Sequence, residues 1–197
     1  MQFNVKKCHV LHIGKKNPHY KYYMNGSELT TVIEEKDIGV ILTDNLKPAR
    51  QCAEAARKAS AVLTQISKVF HYRDRFTFKK LYIQYVRPHL EYATSVWNPW
   101  QQKDIDLLEG VQRRAIKMVS GLRSNDYLER LSELNMETLQ ARRIKTDLIQ
   151  VYKILNNIDK VGYSKWFKTV SDINARPTRS MEYDKNLIWA RISKTEV

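Results

Sequence analysis

Residues 81–122 read LYIQYVRPHLEYATSVWNPWQQKDIDLLEGVQRRAIKMVSGL, the chain's densest mixture of aromatics, prolines and basic side chains. Two helical patterns meet in this stretch. The first starts upstream, where Asp74 is placed to cap a helix running through Phe78, Leu81, Tyr82, Tyr85 and Val86, with Tyr85 expected to help hold the bundle together. Pro88 then bends or interrupts it, because the proline ring pushes the preceding Arg87 away from helical geometry. The short apolar piece Leu90–Ala93 leads to a corner, Trp97-Asn98-Pro99-Trp100, whose two indoles are expected to plug the space between helices. The second pattern runs from about Lys103 to Ser120, with Ile105, Leu108, Val111, Ala115, Met118, Val119 and Leu122 on its inner face. Gly121 suits the position just past its end. Acidic residues fill its first half and Arg113, Arg114 and Lys117 its second, as the helix dipole favours. Gln112, Arg113 and Lys117 also sit on adjacent turns, where they could grip phosphate oxygens.

Outward from this corner the pattern stays helical. Pro48 opens a helix whose apolar face is Ala49, Cys52, Ala56, Ala59, Leu63, Ile66 and Phe70, in alternating steps of three and four. Its alanines permit close approach of a neighbouring helix or a bound backbone. Downstream, Asp126–Leu134 reads as a short helix and Glu137–Asn156 as a longer one, with Leu139, Ile144, Leu148, Val151, Tyr152 and Leu155 inward. Short links between such helices predict a bundle.

Residues 1–46 read instead as β structure. Cys8–Ile13 is short and branched, Asn25-Gly26 is a strong hairpin signal, and Asp37–Leu42 looks like a further buried strand. Gly39 inside that strand marks a bulge or a close backbone approach. After Asn157 periodicity is lost. Trp166 and Phe167 could dock on the bundle, 175–179 reads as a loop, and Leu187–Ile192 as a short strand in want of a partner. The expected architecture is therefore α+β, mainly α: a short antiparallel β segment (1–46), a helical bundle (47–157) and an irregular tail (158–197).

Charge narrows the function. The chain of 197 residues carries a net +13. Residues 1–46 hold 6 Lys/Arg against 5 Asp/Glu, residues 47–123 hold 15 against 6, and residues 124–197 hold 13 against 10. A basic excess concentrated in the middle third favours an anionic partner, nucleic acid ahead of a membrane surface. Cys8 and Cys52 are the only cysteines, so no disulfide framework is implied. The N-terminus is not patterned like a signal peptide and no long apolar run exists, so the expected setting is cytoplasm or nucleus, without a membrane. Cys8, His9 and His12 invite a metal reading, but strand alternation splits them between two faces and their spacing fits no zinc pattern. Nothing in the sequence fixes an oligomeric state.

The pieces FNVKKC (3–8), IGV (38–40), YVRPHLEYATSVWNPW (85–100), DIDLLEGVQRRAIKMVSGL (104–122) and YLERLSELNMETLQARRIKTDLIQVYKIL (127–155) together resemble, in order and spacing, the region from the end of the palm onward in non-LTR (LINE-type, jockey-like) retrotransposon reverse transcriptases. The resemblance covers nearly the whole chain and implies the last palm strands, then the thumb and following helices. It implies that Lys7 lies close to the incoming nucleotide's phosphates. Arg50, Arg57, Lys58, Lys79, Lys80, Arg113, Arg114 and Lys117 are the candidates for contacting the phosphates of an RNA/DNA template–primer duplex without reading sequence. Polymerisation in that family needs a Y/F-x-D-D turn and another aspartate to hold two Mg²⁺ ions. Those ligands belong upstream of FNVKKC, and no adjacent Asp-Asp pair occurs here. The chain by itself is therefore expected to hold no cofactor and not to polymerise. A helical protein-interaction module and a nonfunctional relic of a mobile element are the competing readings.

Overall fold

A computed structural model describes residues 3–162 and the backbone of two short strands, Lys168–Thr169 and Leu187–Ile188. The chain divides into two units, Met1–Thr146 and Asp147–Val197. The expected class is what the structure shows: a small strand segment followed by helices.

In the first unit the strands are β1 (His9–Leu11), β2 (Tyr23–Met24), β3 (Ser27–Glu28), β4 (Thr30–Val32), β5 (Glu34–Asp37) and β6 (Val40–Thr43). β2 and β3 form the hairpin expected at Asn25-Gly26, both of which have positive φ (49° and 75°). Not every pair is antiparallel, however, since β1 runs parallel to β4.

The segment 37–42 departs from its reading as one strand. Ile38 and Gly39 have φ of 43° and 84° and form the two-residue turn between β5 and β6, with Asp37 opposite Val40. Primed turns of this kind match the twist of the flanking strands and need positive φ at both positions, which Gly supplies and a branched Ile resists. Tyr92 holds the turn in place. Its hydroxyl donates to the Ile38 carbonyl (2.9 Å), and its ring lies 3.3 Å from where a Gly39 Cβ would stand. Gly39 thus meets the close approach expected of it, at a turn and not in mid-strand.

The helices are α1 (Ala49–Val69), α2 (Arg75–Leu81), α3 (Arg87–Glu91), α4 (Thr94–Trp97), α5 (Gln102–Lys117), α6 (Tyr127–Glu133) and α7 (Leu139–Leu155). α1 lays Cys52, Ala55, Ala56, Ala59 and Leu63 into the core and packs on α5, which contributes Leu108, Val111, Ala115 and Ile116. Its alanines serve helix–helix approach. Asp74 caps α2 by accepting from the Phe76 and Thr77 amides. Asp126 and Glu129 form a reciprocal capping box on α6.

Pro88 does not break the chain. A π-helical turn over Tyr82–Val86 joins α2 to α3, and Arg87 keeps helical angles (φ −59°, ψ −37°). The wider turn supplies the room that the proline ring would otherwise take from the carbonyl one turn back. It also repositions the side chains. Phe78, Tyr82, Val86 and Leu90 are all buried, while Tyr85 is 55% exposed and not a core residue as expected. At the corner, Trp97 is buried and donates its indole N–H to the Tyr92 carbonyl (2.8 Å), but Trp100 is 62% exposed. Trp97 alone plugs the corner, because the Asn98-Pro99 bend takes the second indole out of the packing. α5 stops at Lys117, three residues before Ser120, and Gly121 (φ 77°) closes the turns that follow.

On α7 the expected inner face fits at Leu139 only in part of its length: Leu139 is fully buried, whereas Ile144, Leu148 and Tyr152 are exposed. In the second unit the Leu187–Ile188 strand (β8) pairs antiparallel with Lys168–Thr169 (β7), so it has the partner that the sequence left missing. Trp166, Phe167 and 175–179 lie outside the described residues. Among the described residues, no helix is long and apolar enough to cross a membrane.

Candidate nucleic-acid interface

Ion pairing sorts the candidate cations. Arg50 makes two hydrogen bonds to Glu34 (2.9 and 3.3 Å), which hold the Glu34 carboxyl below its usual range. Arg57 grips Glu54 in the same way (2.8 and 2.9 Å), and Lys58 reaches it at 3.5 Å. The Arg57 hydrogen bonds are the main reason the Glu54 carboxyl falls to about 2. Lys79 donates to the Asn135 carbonyl (3.2 Å), and Lys80 lies 4.1 Å over the Phe76 ring. Arg113 stacks on Tyr127 at 5.1 Å and faces a cleft that also holds Asp106, Glu109 and Asp126, a poor place for phosphate. Lys7 is exposed at the end of a short turn, Val5–Lys7.

Arg114 and Lys117 remain, and the structure brings them together. They line a cleft of about 480 Å³ with Arg73, Arg123 and the turn Met118–Gly121, and among the described residues no carboxylate lines it. The loop after α1 and the turns after α5 build this cleft. Arg73 folds back to donate to the Phe70 and Ser67 carbonyls (3.1 and 2.8 Å), satisfying the end of α1, while its own carbonyl accepts from the Ser120 amide (2.9 Å). Arg114 donates to Ser60 Oγ (2.9 Å) across the α1–α5 contact. Arg50 stands at the other end of α1, about 30 Å away along a helix of this length. The cations expected to act as one surface are therefore dispersed, and the compact cationic site is Arg73, Arg114, Lys117 and Arg123.

Arg73 and Arg123 were not among the expected contacts. Their signal was present: each sits in a link next to a helix end, and both fall inside the basic middle third. Gln112 leaves the list of phosphate candidates, because it is fully buried. Its amide donates to the Glu137 carbonyl (3.0 Å) and to Tyr127 Oη (3.0 Å), and its oxygen accepts from the Tyr82 hydroxyl (2.8 Å). Beside it, buried Glu109 accepts from the Tyr127 hydroxyl and the Leu139 amide. This network fixes α5, the carrier of Arg114 and Lys117, against α6 and the start of α7.

Among the described residues no group of three or more His, Cys, Asp or Glu side chains could hold a metal ion. His9 instead pairs with Glu35 (2.7 Å), and buried His12 lies against the His19 ring.

No family model and no solved structure matches the chain. Over 125 residues it is 25% identical to an uncharacterized protein of Caenorhabditis elegans, an alignment covering 62% of this chain and 61% of that protein. The chain thus matches less than two thirds of that relative's length.

Proposed function

We propose that this chain is the nucleic-acid-gripping, thumb-like part of a LINE-type reverse transcriptase, binding the phosphate backbone of a template–primer duplex without reading its sequence. The observation that carries the binding reading is the cleft of Arg73, Arg114, Lys117 and Arg123, with no carboxylate among the described residues that line it. The assignment to a reverse transcriptase rests on the order and spacing of the sequence pieces from FNVKKC to YLERL.

If all four cations displace counterions, log K for duplex falls with log[salt] at a slope of about −3.6. Anisotropy titrations of a labelled RNA/DNA duplex test this. Lys117→Ala should weaken every sequence alike and flatten the slope by about one unit. Weak binding with no salt dependence refutes the reading. The competing reading, a protein-interaction module, draws on Leu148, Ile149 and Tyr152 of α7, each more than half exposed. Partner capture that survives nuclease treatment, without duplex binding, would favour it.

A further inference from the structure

We infer that the cationic cleft takes the terminal phosphomonoester at a strand end of the duplex ahead of internal phosphodiesters, with Arg73 as the donor that reads it. The inference rests on the cleft being a phosphate site and names which phosphate it holds.

Arg73 is a fixed donor in the cleft lining. Its Nε donates to the Phe70 carbonyl (3.1 Å) and its Nη2 to the Ser67 carbonyl (2.8 Å), both at the end of α1. Its own carbonyl accepts from the Ser120 amide (2.9 Å), in the turns after α5. Backbone and side chain are thus both tied down. A guanidinium carries five N–H groups, and these two bonds leave three for a ligand. A phosphate that meets such a group costs little side-chain freedom, because the fork is already in place. Arg114 is steadied in the same way by Ser60 Oγ (2.9 Å).

Charge and shape decide which phosphate fits. Arg73, Arg114, Lys117 and Arg123 bring four positive charges, and among the described residues no carboxylate lines the cleft. The last turn of α5 lies in the lining and the end of α1 is held by Arg73. Each of these helix ends carries roughly half a negative charge, so about three positive charges remain. An internal phosphodiester offsets one of them. A terminal phosphomonoester brings about 1.5 to 2 negative charges near pH 7, on three acceptor oxygens. The cleft is also a hollow of about 480 Å³, a size that encloses one small group. A backbone running past presents its phosphates to such a hollow along a convex edge, whereas a strand end can enter it.

The test uses the full chain and one labelled RNA/DNA duplex made in three forms, with hydroxyl ends, with 5′-phosphates or with 3′-phosphates. At least one phosphorylated form should bind about fivefold or more tighter than the hydroxyl-ended duplex, as one further charge-assisted hydrogen bond supplies, and which form does so identifies the end. Arg73→Lys keeps the charge but not the fork, and should cut that preference to about twofold or less. A melt matching wild type shows that the variant folds, and the wild-type comparison decides the matter whether or not it does. A preference that survives in folded Arg73→Lys overturns the role given to Arg73. If the three forms bind alike while Lys117→Ala weakens them all and flattens the salt slope, the phosphate site stands and the terminal-phosphate inference falls. If Lys117→Ala is silent, or no form binds, both fail.

Discussion

Replacing Glu109 by Ala should remove about 4 kcal/mol of stability, and the figure follows from which partners are stranded. Glu109 is 4% exposed. It accepts from the Tyr127 hydroxyl, from Gln112 Nε2 (3.3 Å) and from the Leu139 amide (3.1 Å), the first N–H of α7. Gln112 keeps other acceptors in Tyr127 and the Glu137 carbonyl, so its loss is small. Tyr127 and the fully buried Leu139 amide are left without an acceptor, at roughly 1–3 kcal/mol each. Glu109→Gln preserves an oxygen for Tyr127 but sets an N–H₂ group near the Leu139 amide, and should cost about 1–2 kcal/mol. Tyr82→Phe, which strands only the Gln112 oxygen, should cost about the same. Urea unfolding followed by circular dichroism gives all three values, with the slope m checked for constancy. A Glu109→Ala loss below about 1 kcal/mol, or a loss no greater than that of Tyr82→Phe, would refute the network as the element holding α5 against α6 and α7.

Ile38→Asn should stabilise the chain by about 1 kcal/mol in the same assay, because Asn tolerates the positive φ that a branched, exposed side chain resists. Gly39→Ala should destabilise it by about 1–2 kcal/mol, since φ is 84° there and the Tyr92 ring sits 3.3 Å from the added carbon. Burial first, then the charge of Asp104, pushes the Cys52 thiol up to about 12. A thiol reagent at about pH 8 should therefore modify Cys8 quickly and Cys52 only after unfolding. On the acid side, Glu54, held down to about 2 by Arg57, and Asp126, lowered by the α6 amides, favour folding while ionised. Their contribution is complete above their ordinary values of 4.5 and 3.8 and is lost as pH falls through the lowered ones, so thermal melts should decline from about pH 5 toward pH 2.

The helical body was legible in sequence because its signals are local. Asp74 and Asp126 begin helices through bonds to amides two or three residues away, and α1 shows its buried face in steps of three and four. The stretch 78–90 was harder. Its buried residues, Phe78, Tyr82, Val86 and Leu90, recur in steps of four, which drift about 40° per step around an α-helix. The π turn at 82–86 takes back much of that drift, and a sequence reader assuming constant α-helical pitch puts Tyr85 inside and breaks the helix at Pro88. Ile38 departs from its sequence pattern for a different reason. Its branched side chain argues for a strand, and its turn conformation depends on Tyr92, more than fifty residues away.

The candidate site shows the same division between local and distant information. Glu54 lies three and four residues before Arg57 and Lys58 on one helix, so their pairing could be read from spacing alone. Lys117 has Arg113 and Arg114 at those separations on one side and Ser120 and Gly121 on the other, with no carboxylate in reach along the helix. Its spacing alone marks it as a cation with no acidic neighbour on its own helix. Arg50 was not identifiable as paired, because its partner Glu34 lies on a strand. Arg113 shows where spacing misleads: Glu109 stands four residues before it, yet that carboxylate is turned inward to Tyr127 and Leu139, and Arg113 settles on an aromatic ring. A net charge therefore counts cations without saying which are spent. What selects Arg73, Arg114, Lys117 and Arg123 is that two helix ends bring them to one cleft while the nearby acids are committed elsewhere, Asp74 to capping α2 and Glu109 to the buried network.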